Sequence, residues 1–259
     1  MTRVKVAAVS YLNTVPFIYG IRHAGNDLRA DLLLTPPAGC AENIASGNAD
    51  IALIPVAEIP EIPNIHLIGN HCISSFENVR TVVLMSVSPL EEIRTIYLDP
   101  HSRTSVNLVR ILAHERWNID VEWLPLTDFS QVKPEPGVGY TLIGDKVFGY
   151  EPLFPYKYDL ANAWTGWTGL AFVFAAWVAR EGVDPAVVEQ LEEALSYGVN
   201  HIPEAVAEDL KETDRRIDYD TAVEYLTRNI DFELDFLKRQ SMDIFREKLR
   251  MGYWRVNPG

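Results

Sequence analysis

The chain has 259 residues, 47% of them hydrophobic and 23% charged, with 15 Gly, 16 Pro, 2 Cys and 6 Trp. That composition excludes intrinsic disorder, collagen-like repeats and a disulfide-stapled scaffold, and the length allows one large domain or two small ones, each with a core. The net charge of −13 offers no positive footprint for phosphate contacts, so nucleic acid is not an expected partner.

Val4–Val9 is an apolar run of the kind that forms a buried parallel strand. A polar loop, Tyr11-Leu12-Asn13-Thr14, follows, with Pro16 near the start of a short helix over 17–22. Residues 31–34 read as the next strand and 38–46 as a helix closed by Gly47. A third strand covers 50–54 and stops at Pro55. This β-α-β-α-β order implies a parallel sheet with right-handed crossovers, and it puts the loops at 10–14 and 55–57 on one rim. Strands are further expected at 81–86 and 94–98, then a helix over 105–116, then strands at 121–124 and 138–143. Residues 170–178 form a buried strand returning to the first lobe. Asp184 caps a helix with Pro185 at its first position, and 232–251 repeats a helical apolar pattern.

The organisation that results is α/β and discontinuous. One lobe comprises 1–86 and 176–259, and a smaller lobe, 87–175, is inserted in it. Two crossings between lobes make a hinge, and facing lobes make a cleft. That is the plan of the type II periplasmic-binding-protein fold, completed by a C-terminal helical segment.

Cys40 and Cys72 show no metal-ligand or oxidised-framework spacing, and reduced thiols are expected. No stretch reaches the roughly 18 apolar residues of a membrane span, and the N-terminus does not read as a signal peptide, so a cytoplasmic location is expected. Between Glu204 and Asp235 there are 11 acidic and 4 basic residues, a solvated face that says little about a ligand. The six histidines (23, 66, 71, 101, 114 and 201) have no metal-ligand spacing, and no phosphate-loop, dinucleotide or nucleophile-elbow motif is present. Metal catalysis is not expected.

The segment Ser102-Arg103-Thr104-Ser105 is the best anion site. It brings three hydroxyls and a guanidinium to a helix start, where unpaired N–H groups and the dipole favour a carboxylate or phosphate. Simple N-capping is the plain alternative. Asn13 can donate and accept in a cleft, or merely form a turn. Ser86 ends the presumed hinge strand. Asp145, in Ile143-Gly144-Asp145-Lys146, reads as an acid, a base or an exposed partner of Lys146. Trp164, Thr165, Trp167 and Thr168 serve either a cleft wall or the core.

Five segments together resemble the chorismate dehydratases of the futalosine route to menaquinone: VSYLNTVPF (9–17), GNADIALIPVAE (47–58), LDPHSRTSVNL (98–108), YTLIGDKV (140–147) and DLANAWTGWTGLAFVFAAW (159–177). The resemblance implies removal of water from chorismate to give 3-[(1-carboxyvinyl)oxy]benzoate, without metal or cofactor. It maps Asn13 to a catalytic asparagine and Ser86, Thr104 and Ser105 to substrate contacts; Tyr11, Ser102, Arg103 and Asp145 complete the expected set. Two alternatives are a non-catalytic binder of small carboxylates and the sister 1,4-dihydroxy-6-naphthoate synthase, which resembles an IHE segment where this chain has Ile143-Gly144-Asp145.

Overall fold

The structure, a computed structural model, describes residues 3–25, 27–100 and 102–252. In chain order the elements are β1 (Val4–Val9), α1 (Val15–His23), β2 (Ala30–Thr35), α2 (Pro37–Ser46), β3 (Ile51–Pro55), β4 (Ile65–Ser75), β5 (Val82–Ser86) and β6 (Thr95–Leu98). Next come α3 (Arg103–Ile111), β7 (Glu122–Pro125), β8 (Val138–Ile143), α4 (Val147–Tyr150), β9 (Tyr156–Asp159), α5 (Leu160–Thr168) and β10 (Phe172–Arg180). The chain then turns helical with α6 (Pro185–Val199), α7 (Ile202–Glu212) and α8 (Tyr219–Glu224), and ends with β11 (Asp231–Glu233) and α9 (Phe236–Met251). Two compact units result: Met1–Ser74 with Val173–Phe236, and Ser75–Phe172 with Leu237–Gly259.

Unit 1 is built on a six-stranded sheet in the order β11-β4-β10-β3-β1-β2. β1 is parallel to β2 and β3, as its helical crossovers require, and β10 returns antiparallel to β3. Because β3 is buried along its whole length, it carries no polar side chain. One core cluster joins Ala7, Ile44, Ala52, Ile54 and Val178 to Cys40. Burial pushes the Cys40 thiol up to about 11, against the weaker opposing effect of its contact with Thr35. The helix α2 ends where expected, with Gly47 at φ +79.

Unit 2 has a five-stranded sheet, β7-β6-β8-β5-β9. β6 is parallel to both β7 and β8, so the carboxyl ends Leu98, Pro125 and Ile143 gather on one edge. β5 is antiparallel to β8 and β9. The helix α9 packs into this unit: Trp164 Nε1 donates to Ser241 Oγ at 2.9 Å, and the Phe172 and Phe245 rings meet edge to face at 5.0 Å.

These placements correct the expected lobe boundaries. Rather than closing the first lobe at 86, β5 lies inside the second sheet, because its antiparallel partners are β8 and β9. The last helix joins unit 2, so the chain passes between units at three points, not two. The helix expected over 232–251 begins only at Phe236. Asp231–Glu233 instead pairs with β4, and Leu234 N donates to Asn70 O at 2.7 Å. Phe232 and Leu234 are therefore buried, while Phe236, at the start of the helix, is 79% exposed. The helix α3 also stops early, at Ile111, and continues as a π-helical turn over Leu112–Trp117.

Candidate functional site

In unit 1 the chain leaves β1 through Ser10 and Tyr11 into a single 3-10 turn, Leu12–Thr14, and then α1. Pro16 lies in the first turn of α1, where its missing N–H costs nothing. Leu12 and Thr14 are fully buried and anchor the turn, which leaves Asn13 half-exposed between them. Thr14 Oγ1 donates to Asn13 Oδ1 at 3.1 Å. The Asn13 carboxamide oxygen is thus fixed, and its nitrogen has no partner among the described residues. Tyr11 packs against the Cys40 cluster. Arg215 Nη2 donates to Ser10 O at 3.1 Å and so ties down the start of this loop.

In unit 2 the anion-site segment is the first turn of α3. Ser102 is the N-cap, with φ −129 and ψ 107. Its Oγ accepts from Ser105 N at 3.0 Å, and its hydroxyl donates to Ser105 Oγ at 2.8 Å. The capping alternative is therefore realised at Ser102, and the Ser105 amide is spoken for. Thr104 and Ser105 are each 2% exposed, whereas Arg103 lies at the surface. His101 lies outside the described residues.

Ser102 N donates to the carbonyl of Asp99 at 3.4 Å, and Asp99 has no exposed surface. Asp99 Oδ2 accepts from Ile143 N at 3.2 Å and lies 2.7 Å from Lys146 Nζ. Gly144 has φ +72, a left-handed turn that an L side chain resists, and it redirects the chain so that Lys146 reaches back to Asp99. Lys146 Nζ also sits 3.9 Å from the centre of the Phe129 ring. Pairing with its neighbour Asp145 is one of the three roles the sequence allows; the structure gives Lys146 an ion pair with Asp99. Asp145 itself is half-buried at the start of the turn into α4, its carbonyl accepting from Phe148 N at 3.2 Å.

Ser86 is also fully buried. Its hydroxyl donates to Val138 O at 2.7 Å and its oxygen accepts from Ser88 N at 3.0 Å. These two bonds pin the end of β5 to β8. The tryptophan alternative resolves in the same direction for Trp164, which is core. Thr165 and Thr168 donate to the carbonyls of Leu170 and Trp164 and finish α5. Trp167 lies under Lys248, whose Nζ is 4.1 Å from a ring centre.

Asn107, Arg110 and Trp123 escaped the sequence reading. Arg103, Asn107 and Arg110 recur at helical spacing on one face of α3, and that polar stripe was the available signal. With Trp123 they line a cavity of about 390 Å³ in unit 2. Among the described residues no group of three His, Cys, Asp or Glu side chains is arranged to hold a metal, and no helix is long and apolar enough to cross a membrane.

The two sheets, with their mixed strand order, define a class, the periplasmic-binding-protein fold. A Candida albicans protein whose structure is described as having the generic periplasmic binding protein fold aligns at TM-score 0.63 and 12% identity, over 99% of this chain and 96% of that one. The alkanesulfonate-binding protein of Xanthomonas axonopodis pv. citri, solved with MOPS, aligns at 0.68 and 10%, over 100% and 95%. Protein AF1704 of Archaeoglobus fulgidus aligns at 0.77 and 12%, over 96% and 97%. At these identities the likeness is one of fold. A family model described as menaquinone biosynthesis matches residues 4–251, and the chain belongs to that family.

Proposed function

We propose that the protein is a chorismate dehydratase acting in menaquinone biosynthesis. The observation that carries this reading is the family match over residues 4–251. The reaction breaks two bonds on the chorismate ring: the hydrogen at carbon 3 leaves as a proton, the hydroxyl at carbon 4 departs with its electron pair, and the ring becomes aromatic. Aromatisation supplies the driving force. The protein's task is to position a dianion and assist the departing hydroxide.

The two turns support the following roles. Asn13 orients the substrate through the carboxamide nitrogen that Thr14 leaves unengaged. The first turn of α3, with Arg103, Thr104 and Ser105, holds one carboxylate, favoured by the positive end of the helix dipole. Ser102 and Ser105 fix the shape of that turn, and the Lys146–Asp99 pair fixes its base. Ser86 acts as a positioning residue, and Tyr11 and Asp145 border the two turns. The substrate's own enolpyruvyl carboxylate accepts the proton, its effective concentration offsetting weak basicity. Neither metal nor organic cofactor takes part, and the reaction runs in the cytoplasm.

A second reading, a non-catalytic carboxylate binder, draws support from the ligand-binding proteins that share the fold. Incubation of the purified protein with chorismate, followed by mass spectrometry, separates the two. Loss of one water supports the dehydratase; binding with chorismate recovered unchanged supports the binder.

A further inference from the structure

The 390 Å³ cavity of unit 2 lies near the lower end of the range for small-molecule pockets, about 300–1,000 Å³. Leu98 and Pro125, at the carboxyl ends of β6 and β7, line its floor. One wall is the face of α3 that carries Arg103, Asn107 and Arg110, and Trp123 of β7 supplies an aromatic wall. The Arg110 guanidinium carbon lies 5.6 Å from the centre of the Trp123 ring. Arg110 Nε is buried without a hydrogen-bond partner among the described residues. A buried N–H with no acceptor is costly, and burial also holds the Arg110 pKa below its ordinary value. An incoming carboxylate supplies a counter-charge to this half-buried guanidinium. The acidic group nearby, Asp99, is already paired with Lys146.

We propose that this cavity binds a planar aromatic carboxylate, with its carboxylate on Arg110 and Arg103 and its ring against Trp123. A guanidinium fork matches a carboxylate in a bidentate manner. Trp123 and Leu124 offer apolar surface that inorganic phosphate leaves unused, which selects the aromatic acid over the bare anion. The cavity shares Ser102 and Arg103 with the carboxylate site proposed above, but occupancy is measured without turnover, so its failure leaves the dehydratase reading standing.

The test uses the full chain and benzoate as the probe, up to about 10 mM, a range that detects weak binding. The Trp123 indole N–H resonance, identified by its absence in Trp123→Phe, is expected to shift on benzoate addition and not on addition of inorganic phosphate. By calorimetry, Arg110→Gln is expected to weaken benzoate binding about tenfold or more, the scale of one lost charge-assisted contact. Asn13→Ala is expected to bind benzoate as the wild type does, which separates this cavity from a site at Asn13. A silent Trp123 resonance in the wild-type protein overturns the proposal. So does unchanged affinity in Arg110→Gln, an equal response to phosphate, or a parallel loss in Asn13→Ala.

Discussion

The Lys146 ammonium lies 2.7 Å from the Asp99 carboxylate, which has no solvent-exposed surface. The pair links the turn after β8 to the loop between β6 and α3, so it sets the base of the proposed carboxylate site. Removing one partner of a buried pair strands the other charge, at a cost of about 3–5 kcal/mol when both are fully buried. Lys146 keeps 24% of its side chain exposed, so water offsets part of that cost. Lys146→Met is expected to destabilise by about 2 kcal/mol, measured by urea unfolding. Adding Asp99→Asn is expected to recover part of the loss. A Lys146→Met variant as stable as the wild type would show that the pair does not hold this turn.

Gly20 of α1 and Gly198 of α6 mark a close approach of these two helices in unit 1. A Cβ on Gly198 lands on the Pro16 carbonyl oxygen and comes 2.8 Å from Gly20 N; one on Gly20 lands on the Ala194 carbonyl oxygen. These obstacles are backbone atoms and have no rotamer in which to retreat. Gly198→Ala is expected to force the helices apart and cost about 2–3 kcal/mol, at the upper end of overpacking penalties. Gly166→Ala is the control, since nothing lies within 4 Å of the added carbon. Equal stability of the two variants would contradict the close approach.

Asp159 caps α5, accepting from Ala161 N at 3.0 Å and Asn162 N at 3.1 Å, and also accepts from Arg80 N at 2.8 Å. Burial nevertheless outweighs these donors and pushes its carboxyl up to about 6, from an ordinary value of 3.8. Between those values the folded chain holds a proton that the unfolded chain has released. This contribution to stability is therefore fully present below the lower value and is lost as pH rises through about 6. Asp159→Asn cannot titrate. Unfolding free energies of both proteins at several pH values are expected to show the wild type gaining on the variant as pH falls from 7 to 4. A pH-independent difference contradicts the shift.

Local signals were the legible ones. Val138–Ile143 is legible because a short run rich in Val, Tyr, Thr and Ile lies between Gly137 and Gly144. Gly47 and Pro185 marked helix ends through backbone chemistry that does not depend on distant partners. The Ser102 cap was likewise readable, since its partner Ser105 is three residues away. β4 was missed: its sequence, IHLIGNHCISS, contains Gly69 at φ +64 and three polar residues before the buried stretch, so no unbroken period appears. The assignment of β5 to the second sheet depends on partners more than fifty residues away. Lys146 finds Asp99 across 47 positions, and Arg110 meets Trp123 only after a strand crossover brings β7 beside β6. Residue type and spacing identified the two candidate turns; tertiary pairing determined which side chains support them.

The most direct test of the proposed chemistry is a proton NMR time course of chorismate with the wild-type protein and with Asn13→Ala. The wild type is expected to replace the signals of the non-aromatic ring with those of a 3-substituted benzoate, while the enolpyruvyl methylene protons persist. Asn13→Ala is expected to fold normally and leave chorismate unchanged. If the wild type also leaves chorismate intact, or if Asn13→Ala converts it at the wild-type rate, the proposed chemistry or the role of Asn13 is contradicted.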